Sequence, residues 1–156
     1  MNVLLNTTAD ALEIIAFMLH GQQFCVRTTS IREIRGWAPV TPIPHAPSDV
    51  LGVMNLRGMV IPIVDLAIKL GMPPAKTTER SAIVVTNVKG QTVGLMVDRV
   101  SDILTISGSE LQPVPIGVGL TSTSFAEGIF ARDKDMICFL DLEAIFSSTL
   151  EWPEAT

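Results

Sequence analysis

Asp49-Val-Leu-Gly-Val-Met-Asn-Leu-Arg-Gly-Met-Val-Ile-Pro-Ile-Val-Asp-Leu66 is the most informative run in the chain. Two apolar stretches, residues 51–55 and 59–64, flank Asn55-Leu56-Arg57-Gly58, and the spacing predicts two strands joined by a turn. Gly58 supplies positive φ at that turn, and Asn55 can hydrogen-bond back onto the loop backbone. Pro62 donates no backbone hydrogen bond, which predicts a sheet edge or a bulge. Asp65 then caps a short helix over residues 65–70. A hairpin closed by a capped helical turn points to an all-β domain.

The rest of the chain has the same grain. Short apolar runs alternate with Gly, Pro, Asn and Asp, and predict strands at residues 12–19, 22–28, 82–88, 91–98, 128–131 and 136–140. Weaker strand signals lie at residues 36–41, 104–106 and 111–114. His20-Gly21 and Lys89-Gly90 each place a glycine between two apolar runs, as a tight hairpin needs. Asp141 opens a second short helix over residues 141–147, while Pro42, Pro44 and Pro47 make residues 41–47 an extended connector.

The chain also repeats itself. At an offset of 69 positions, Gly21-Gln22-Gln23-Phe24 falls on Gly90-Gln91-Thr92-Val93, Ile31 on Val100, Glu33 on Asp102 and Ile34 on Ile103. At an offset of 76, Gly52-Val53-Met54 falls on Gly128-Ile129-Phe130, Ile61 on Ile137, Asp65 on Asp141 and Leu66 on Leu142. The unit reads as a hairpin, a turn, a second hairpin and a capping helix, made twice. Each copy is the size of a small closed barrel, and closure removes the reactive edges of a sheet. Two small β-barrels packed together, with strands possibly exchanged between them, are the expected architecture.

Composition narrows the function. The 156 residues carry 47% hydrophobic and only 17% charged side chains, with a net charge of −5. Mean hydropathy is +0.43 and the isoelectric point about 4.9. Such a chain has apolar surface to spare for a core and for partners, and its acidity argues against a nucleic-acid backbone as the main partner. No uninterrupted apolar run reaches the roughly 18 residues of a membrane span, and residues 1–10 lack the basic and apolar regions of a secretory signal. Cys25 and Cys138 sit in apolar runs and read as buried, reduced thiols, so a cytoplasmic location is expected.

The catalytic inventory is thin. His20 and His45 have no Cys, Asp or Glu at metal-ligand spacing, and Gly117-Val118-Gly119 is a loop rather than a nucleotide cradle. Asp65, Asp98 and Asp102 read as cap and turn residues. Neither an enzyme nor a cofactor or metal site is expected.

Residues 49–71 resemble the signature of the chemotaxis coupling protein family, CheW: an apolar strand, Gly, Asn-Leu-Arg-Gly, an apolar run with Pro, then Asp-Leu and a short helix. The resemblance extends to Ser-Ile-Arg-Glu-Ile-Arg-Gly at residues 30–36, to Gly-Leu-Met-Val-Asp-Arg-Val-Ser-Asp-Ile at residues 94–103, and to residues 136–146. One departure is Ala-Ile-Lys-Leu after Leu66, where members often carry a basic residue directly after the Leu. The resemblance implies two five-stranded SH3-like barrels around a shared hydrophobic junction. The single domain would span residues 12–147, with subdomains near 12–72 and 82–147 and flexible ends at 1–11 and 148–156. It further implies a non-enzymatic adaptor, linking the helical tips of transmembrane chemoreceptors to the regulatory domain of the histidine kinase CheA. The alternative from another class is a β-barrel that binds a small molecule, although a five-stranded barrel is too narrow for one, given that about eight strands barely leave room.

The receptor-facing candidates are Ile31, Glu33, Gly52, Arg57 and Val100, while Asn55, Leu56, Arg57, Gly58 and Asp65 carry the structural motif. Ile31 and Val100 occupy equivalent places in the two copies and either line a groove or belong to the core. Arg57, enclosed by Leu56 and Met59, is expected to pair with Glu33 against apolar surface, to contact the receptor, or to be solvated. The sequence assigns no residue to the kinase.

Overall fold

Three reversals of the same kind set the strand registers. His20-Gly21, Arg57-Gly58 and Lys89-Gly90 each put both loop residues at positive φ (50° and 78°, 53° and 88°, 53° and 83°). That is the requirement of a type I′ turn, whose twist matches the strands it joins. Asn55 Oδ1 accepts from the Gly58 amide at 2.7 Å and Asn87 Oδ1 from the Gly90 amide at 3.0 Å, bracing two of the three.

The computed structural model describes residues 11–114, 125–132 and 135–146. Its elements are β1 (Ala11–Leu19), β2 (Gln22–Arg27), β3 (Ile31–Gly36), β4 (Val50–Leu56), β5 (Met59–Asp65), α1 (Leu66–Lys69), β6 (Ala82–Val88), β7 (Gln91–Val97), β8 (Arg99–Ser107), β9 (Leu111–Gln112), β10 (Ala126–Arg132), β11 (Asp135–Leu140) and α2 (Leu142–Ile145). They form an all-β fold of two sheets, ordered β3-β6-β7-β5-β4 and β8-β1-β2-β11-β10-β9. Each sheet takes its inner hairpin from one half of the chain and its remaining strands from the other. The β5–β7 and β11–β2 pairs are parallel and the others antiparallel.

The register reproduces the internal repeat residue by residue. Ile31 lies opposite Thr86 as Val100 lies opposite Phe17. The Asp65 amide donates to Asp49 O at 2.8 Å, and the Asp141 amide to Phe125 O at 2.7 Å. Thr41 bridges to Val53, and Gln112 of β9 pairs with Ile129. At these crossings glycine is obligatory. A Cβ on Gly52 would stand 2.2 Å from Thr41 O, and one on Gly128 would stand 2.5 Å from Gln112 O.

Strand alternation sorts the apolar side chains into three cores. Met54, Leu56, Ile61, Ile63, Ile83 and Val85 fill the inside of the five-stranded sheet. Ile14, Ala16, Cys25, Ile106, Phe130, Ile137 and Phe139 fill the six-stranded one, with Phe130 and Phe139 ring centroids 5.6 Å apart. Between the sheets lies the largest cluster, to which both contribute: Phe17, Phe24, Val84 and Leu95 meet Leu66 and Leu70 of the first helical turn and Leu142 and Phe146 of the second. This is the shared hydrophobic junction. Burial pushes both free thiols, Cys25 and Cys138, above their ordinary pKa.

Several expectations are corrected here. The strand lies at Ile31–Gly36, not at residues 36–41, where beyond Gly36 Thr41 makes an isolated bridge to Val53. Because β3 alternates half-buried and exposed residues with charges on both faces, its periodicity is hidden in composition. Its counterpart β8 runs the full length Arg99–Ser107 rather than residues 104–106. Ala11 opens β1 opposite Ser107 instead of fraying. Pro62 sits in an inner strand, but β5 meets β7 only from Ile63 onward, so no ladder bond is lost on that side. The loop expected at Gly117 to Gly119, residues 133–134 and the chain ends at residues 1–10 and 147–156 lie outside the described residues.

Candidate functional site

The edge strand β3 presents charge and apolar surface together. Ile31, Glu33 and Arg35 are half-buried, whereas Arg32 and Ile34 are exposed. A bulge between Ile31 and Glu33 re-aims the strand at that point. β4, the opposite edge of the same sheet, carries Arg57 at the tip of its hairpin with β5. Arg57 Nη1 donates to Glu33 Oε1 at 2.6 Å, so one ion pair joins the first and last strands of the curled sheet. Arg35 Nη1 adds a second bond to Glu33 Oε2 at 3.2 Å. The Arg57 hydrogen bond holds the Glu33 carboxyl below the usual carboxylate range; partial burial opposes it and Arg35 assists.

The pair predicted from sequence is therefore formed, but it is not buried. The Arg57 side chain is 72% exposed, against 22% for Glu33. Leu56 turns inward, Met59 turns outward, and the positive-φ loop lifts Arg57 into solvent. Such a pair adds little to stability and leaves the guanidinium with donors free to face a partner.

The other sequence candidates fall in different places. Ile31, the first residue of β3, and Val100, the second of β8, sit at equivalent places of the repeat, half-buried and packed against the junction core. Gly52 is buried beneath the Thr41 carbonyl, where the missing side chain is a requirement of close approach. Asn55 and Gly58 shape the turn, and Leu56 is core. Asp65 is buried: Oδ1 accepts from the Ala67 amide and Oδ2 from the Ala75 amide, both at 3.0 Å. Sequence reasoning did not find Arg35 as a partner of Glu33, nor the paired exposed residues Ile34 with Ile103 and Val60 with Met136. The two offsets of the repeat place each of these pairs in register, a signal that exposure alone completes.

Among the described residues, no group of three or more His, Cys, Asp or Glu side chains is placed to hold a metal ion. No described helix is long and apolar enough to cross a membrane. The edge strand sets charged side chains directly beside exposed and half-buried apolar ones.

Residues 13–150 match the family model described as a CheW-like domain. The chain belongs to the CheW family. A probable chemotaxis protein CheW of Rhizobium etli is 53% identical over 88% of each chain, and a chemotaxis protein CheW of Rhizobium meliloti is 49% identical over 94% of this chain and 95% of that one. The crystal structure of a scaffolding protein CheW from Thermoanaerobacter tengcongensis superposes with a TM-score of 0.81 at 29% identity, covering 88% of this chain and 89% of the other. The CheW fold thus accounts for the two sheets, their junction and the hairpin that carries Arg57.

Proposed function

We propose that this CheW chain is a non-enzymatic chemotaxis adaptor that couples transmembrane chemoreceptors to the histidine kinase CheA in cytoplasmic arrays. What supports the reading is the solvent-facing Glu33–Arg57 pair, bordered by Ile31 and Ile34 on an edge strand, in a member of a family whose solved relative is a scaffolding protein. A receptor tip is a helical hairpin, and a helix seats its apolar stripe in a groove rimmed by polar groups. Ile31 and Val100 supply apolar surface beside the junction, and Glu33 and Arg57 the polar rim. The kinase surface is a separate one, because an adaptor holds both partners at once. The reading as a small-molecule barrel has less support, since Phe130, Phe139 and Ile63 fill the spaces where a ligand would lie.

Co-sedimentation with receptor-bearing vesicles and purified CheA tests the proposal. Wild-type protein is expected to carry the kinase down with the vesicles. Ile31→Ser, Glu33→Ala and Arg57→Ala should lower receptor capture about tenfold, the effect of an interface contact that matters, and leave binding to the kinase regulatory domain intact. Asp102→Ala, the matching position of the second half, serves as the control. Failure of the wild-type protein to bind either partner would overturn the reading.

A further inference from the structure

Among the described strands, pairing within a half of the chain is local, and every other pairing runs between the halves. β1–β2 and β4–β5 lie within residues 11–65, and β6–β7, β9–β10 and β10–β11 within residues 82–140. The β3–β6, β5–β7, β1–β8 and β2–β11 ladders each join a strand before residue 70 to one after residue 81. The cores divide in the same way. Met54, Leu56 and Ile61 share a core with Ile83 and Val85, and Ile14 and Cys25 share one with Phe130 and Phe139. Each half therefore completes its sheet and buries its apolar face only against the other half.

The covalent link between the halves is pinned at both ends and exposed in between. On the first side, the Met72 amide donates to Ala67 O at 2.8 Å, the Ala75 amide donates to Asp65 Oδ2 at 3.0 Å, and His20 Nε2 meets Pro73 O at 2.7 Å. All of these partners belong to the first half. On the second side, the carbonyl of buried Ser81 accepts from the Trp37 amide at 3.0 Å, and β6 follows. Between the two anchors Lys76, Thr77, Thr78, Glu79 and Arg80 are exposed. The bonds here are local: the Thr78 amide donates to Ser81 Oγ at 2.8 Å, and the Ser81 amide returns to Thr78 O at 3.1 Å, closing one turn. Residues 76–80 thus form a hinge whose opening breaks that turn and leaves both anchors in place.

We propose that two copies of this chain exchange halves about this hinge, so that residues 11–75 of each copy complete both sheets with residues 81–146 of the other. The swapped dimer makes the same ladders and cores as the monomer, because nothing in them depends on which chain supplies the second half. What the monomer gains is proximity: a short linker holds the halves at an effective concentration on the order of millimolar. Exchange therefore matches the monomer at about 1 mM protein, and at lower concentration where the hinge is too short to turn back. Extended, residues 76–80 reach roughly 20 Å, which seats the two globules side by side. Glu33 and Arg57 both lie in the first half, so each globule keeps its ion pair and the dimer offers two such edges. The proposal rests on topology and stands whether or not the chain couples a receptor to a kinase.

Refolding the full-length chain from urea at about 1 mM and at about 5 µM, on either side of the exchange point, tests it by size-exclusion chromatography with light scattering. A dimer is expected from the concentrated sample and a monomer from the dilute one. Deleting Thr77–Glu79 removes the turn without touching either half and should lower the dimer's dissociation constant by about tenfold or more. The pair Glu13→Cys with Thr105→Cys identifies the connection. These exposed residues face each other across β1 and β8, and facing strand residues stand about 4.5–5.5 Å apart at Cα, within disulfide reach. Oxidation of the isolated dimer should join the two copies covalently on a non-reducing gel, whereas in the monomer the same bond stays within one chain. Monomer alone from the concentrated wild type would overturn the proposal, whatever the shortened chain does. So would a dimer whose oxidised copies separate on the gel, since that is association through an outer surface.

Discussion

The edge strands β3 and β8 occupy equivalent positions in the two sheets, yet they carry different chemistry. Each carries a half-buried β-branched residue packed against the junction, Ile31 or Val100, each is bulged against its neighbour before the second residue on, and each exposes an isoleucine, Ile34 or Ile103. On β3, Glu33 faces two guanidinium groups; on β8, the equivalent Asp102 folds back to accept its neighbour's amide from Ile103 at 2.8 Å. The repeated backbone therefore fixes where a side chain stands, and the unrepeated residues decide what that position does. The first half carries a charged edge on a frame that the second half shares.

The shared frame is the part most easily broken. Gly52→Ala forces a Cβ into the Thr41 carbonyl at a backbone angle, φ +152°, that side chains rarely take, and should cost about 3–5 kcal/mol. Gly128→Ala meets Gln112 O without that angle and should cost about 1–3 kcal/mol. Urea unfolding midpoints measure both; equal costs would show that the close approach alone decides.

A smaller difference between the halves lies behind α1. Lys69 Nζ pairs with Asp49 Oδ2 at 3.2 Å, with side chains only 9% and 15% exposed, and stands 5.4 Å from the Phe146 ring centroid. The equivalent residues of the second half are the apolar Ile145 and Phe125. Lys69→Ala strands a largely buried carboxylate and should cost about 2–3 kcal/mol, less than a fully buried pair. Lys69→Ile with Asp49→Phe, which copies the second half, should recover most of the loss in thermal unfolding. A double variant no better than the single one would mean that the pair is specific to the first half's packing.

The smallest effect on stability belongs to the Glu33–Arg57 pair. Arg57→Ala should raise the Glu33 pKa toward its ordinary value, read by carboxyl NMR titration, with little change in unfolding midpoint. Because the folded pKa is depressed, the carboxylate stabilises the fold above the ordinary Glu range, near pH 4.3, and that contribution disappears as pH falls through the lower folded value. A Glu33 pKa unmoved by Arg57→Ala would assign the shift to Arg35.

Most of the frame was legible because it is written in apolar periodicity and in turn glycines. The His20-Gly21, Arg57-Gly58 and Lys89-Gly90 reversals, the Asp65 and Asp141 caps, and the internal repeat were all readable in this way. β3 was not, since in Ile-Arg-Glu-Ile-Arg the apolar residues stand three apart, a spacing that does not match a strand's period of two, and its pairing with β6 comes from the distant half. The Glu33–Arg57 contact could be guessed from residue type, but its exposure depends on how far the sheet curls, which no local pattern encodes.

The exchange of hairpins between the sheets also imposes an order on synthesis. The chain is made from its N-terminus at about 5–20 residues per second, and domains fold as their parts emerge. The β6–β7 hairpin finds β3, β4 and β5 already made, so the five-stranded sheet can be completed once Val97 has appeared. The β1–β2 hairpin, the first to be made, must wait for β8 and then for β11, which ends at Leu140. For several seconds at the ribosome it carries Ile14, Phe17 and Phe24 uncovered and both its edges unpaired, the condition in which strands recruit wrong neighbours. In this fold the oldest hairpin is the last to be sheltered, which makes β1–β2 the segment that nascent-chain chaperones would have most reason to hold.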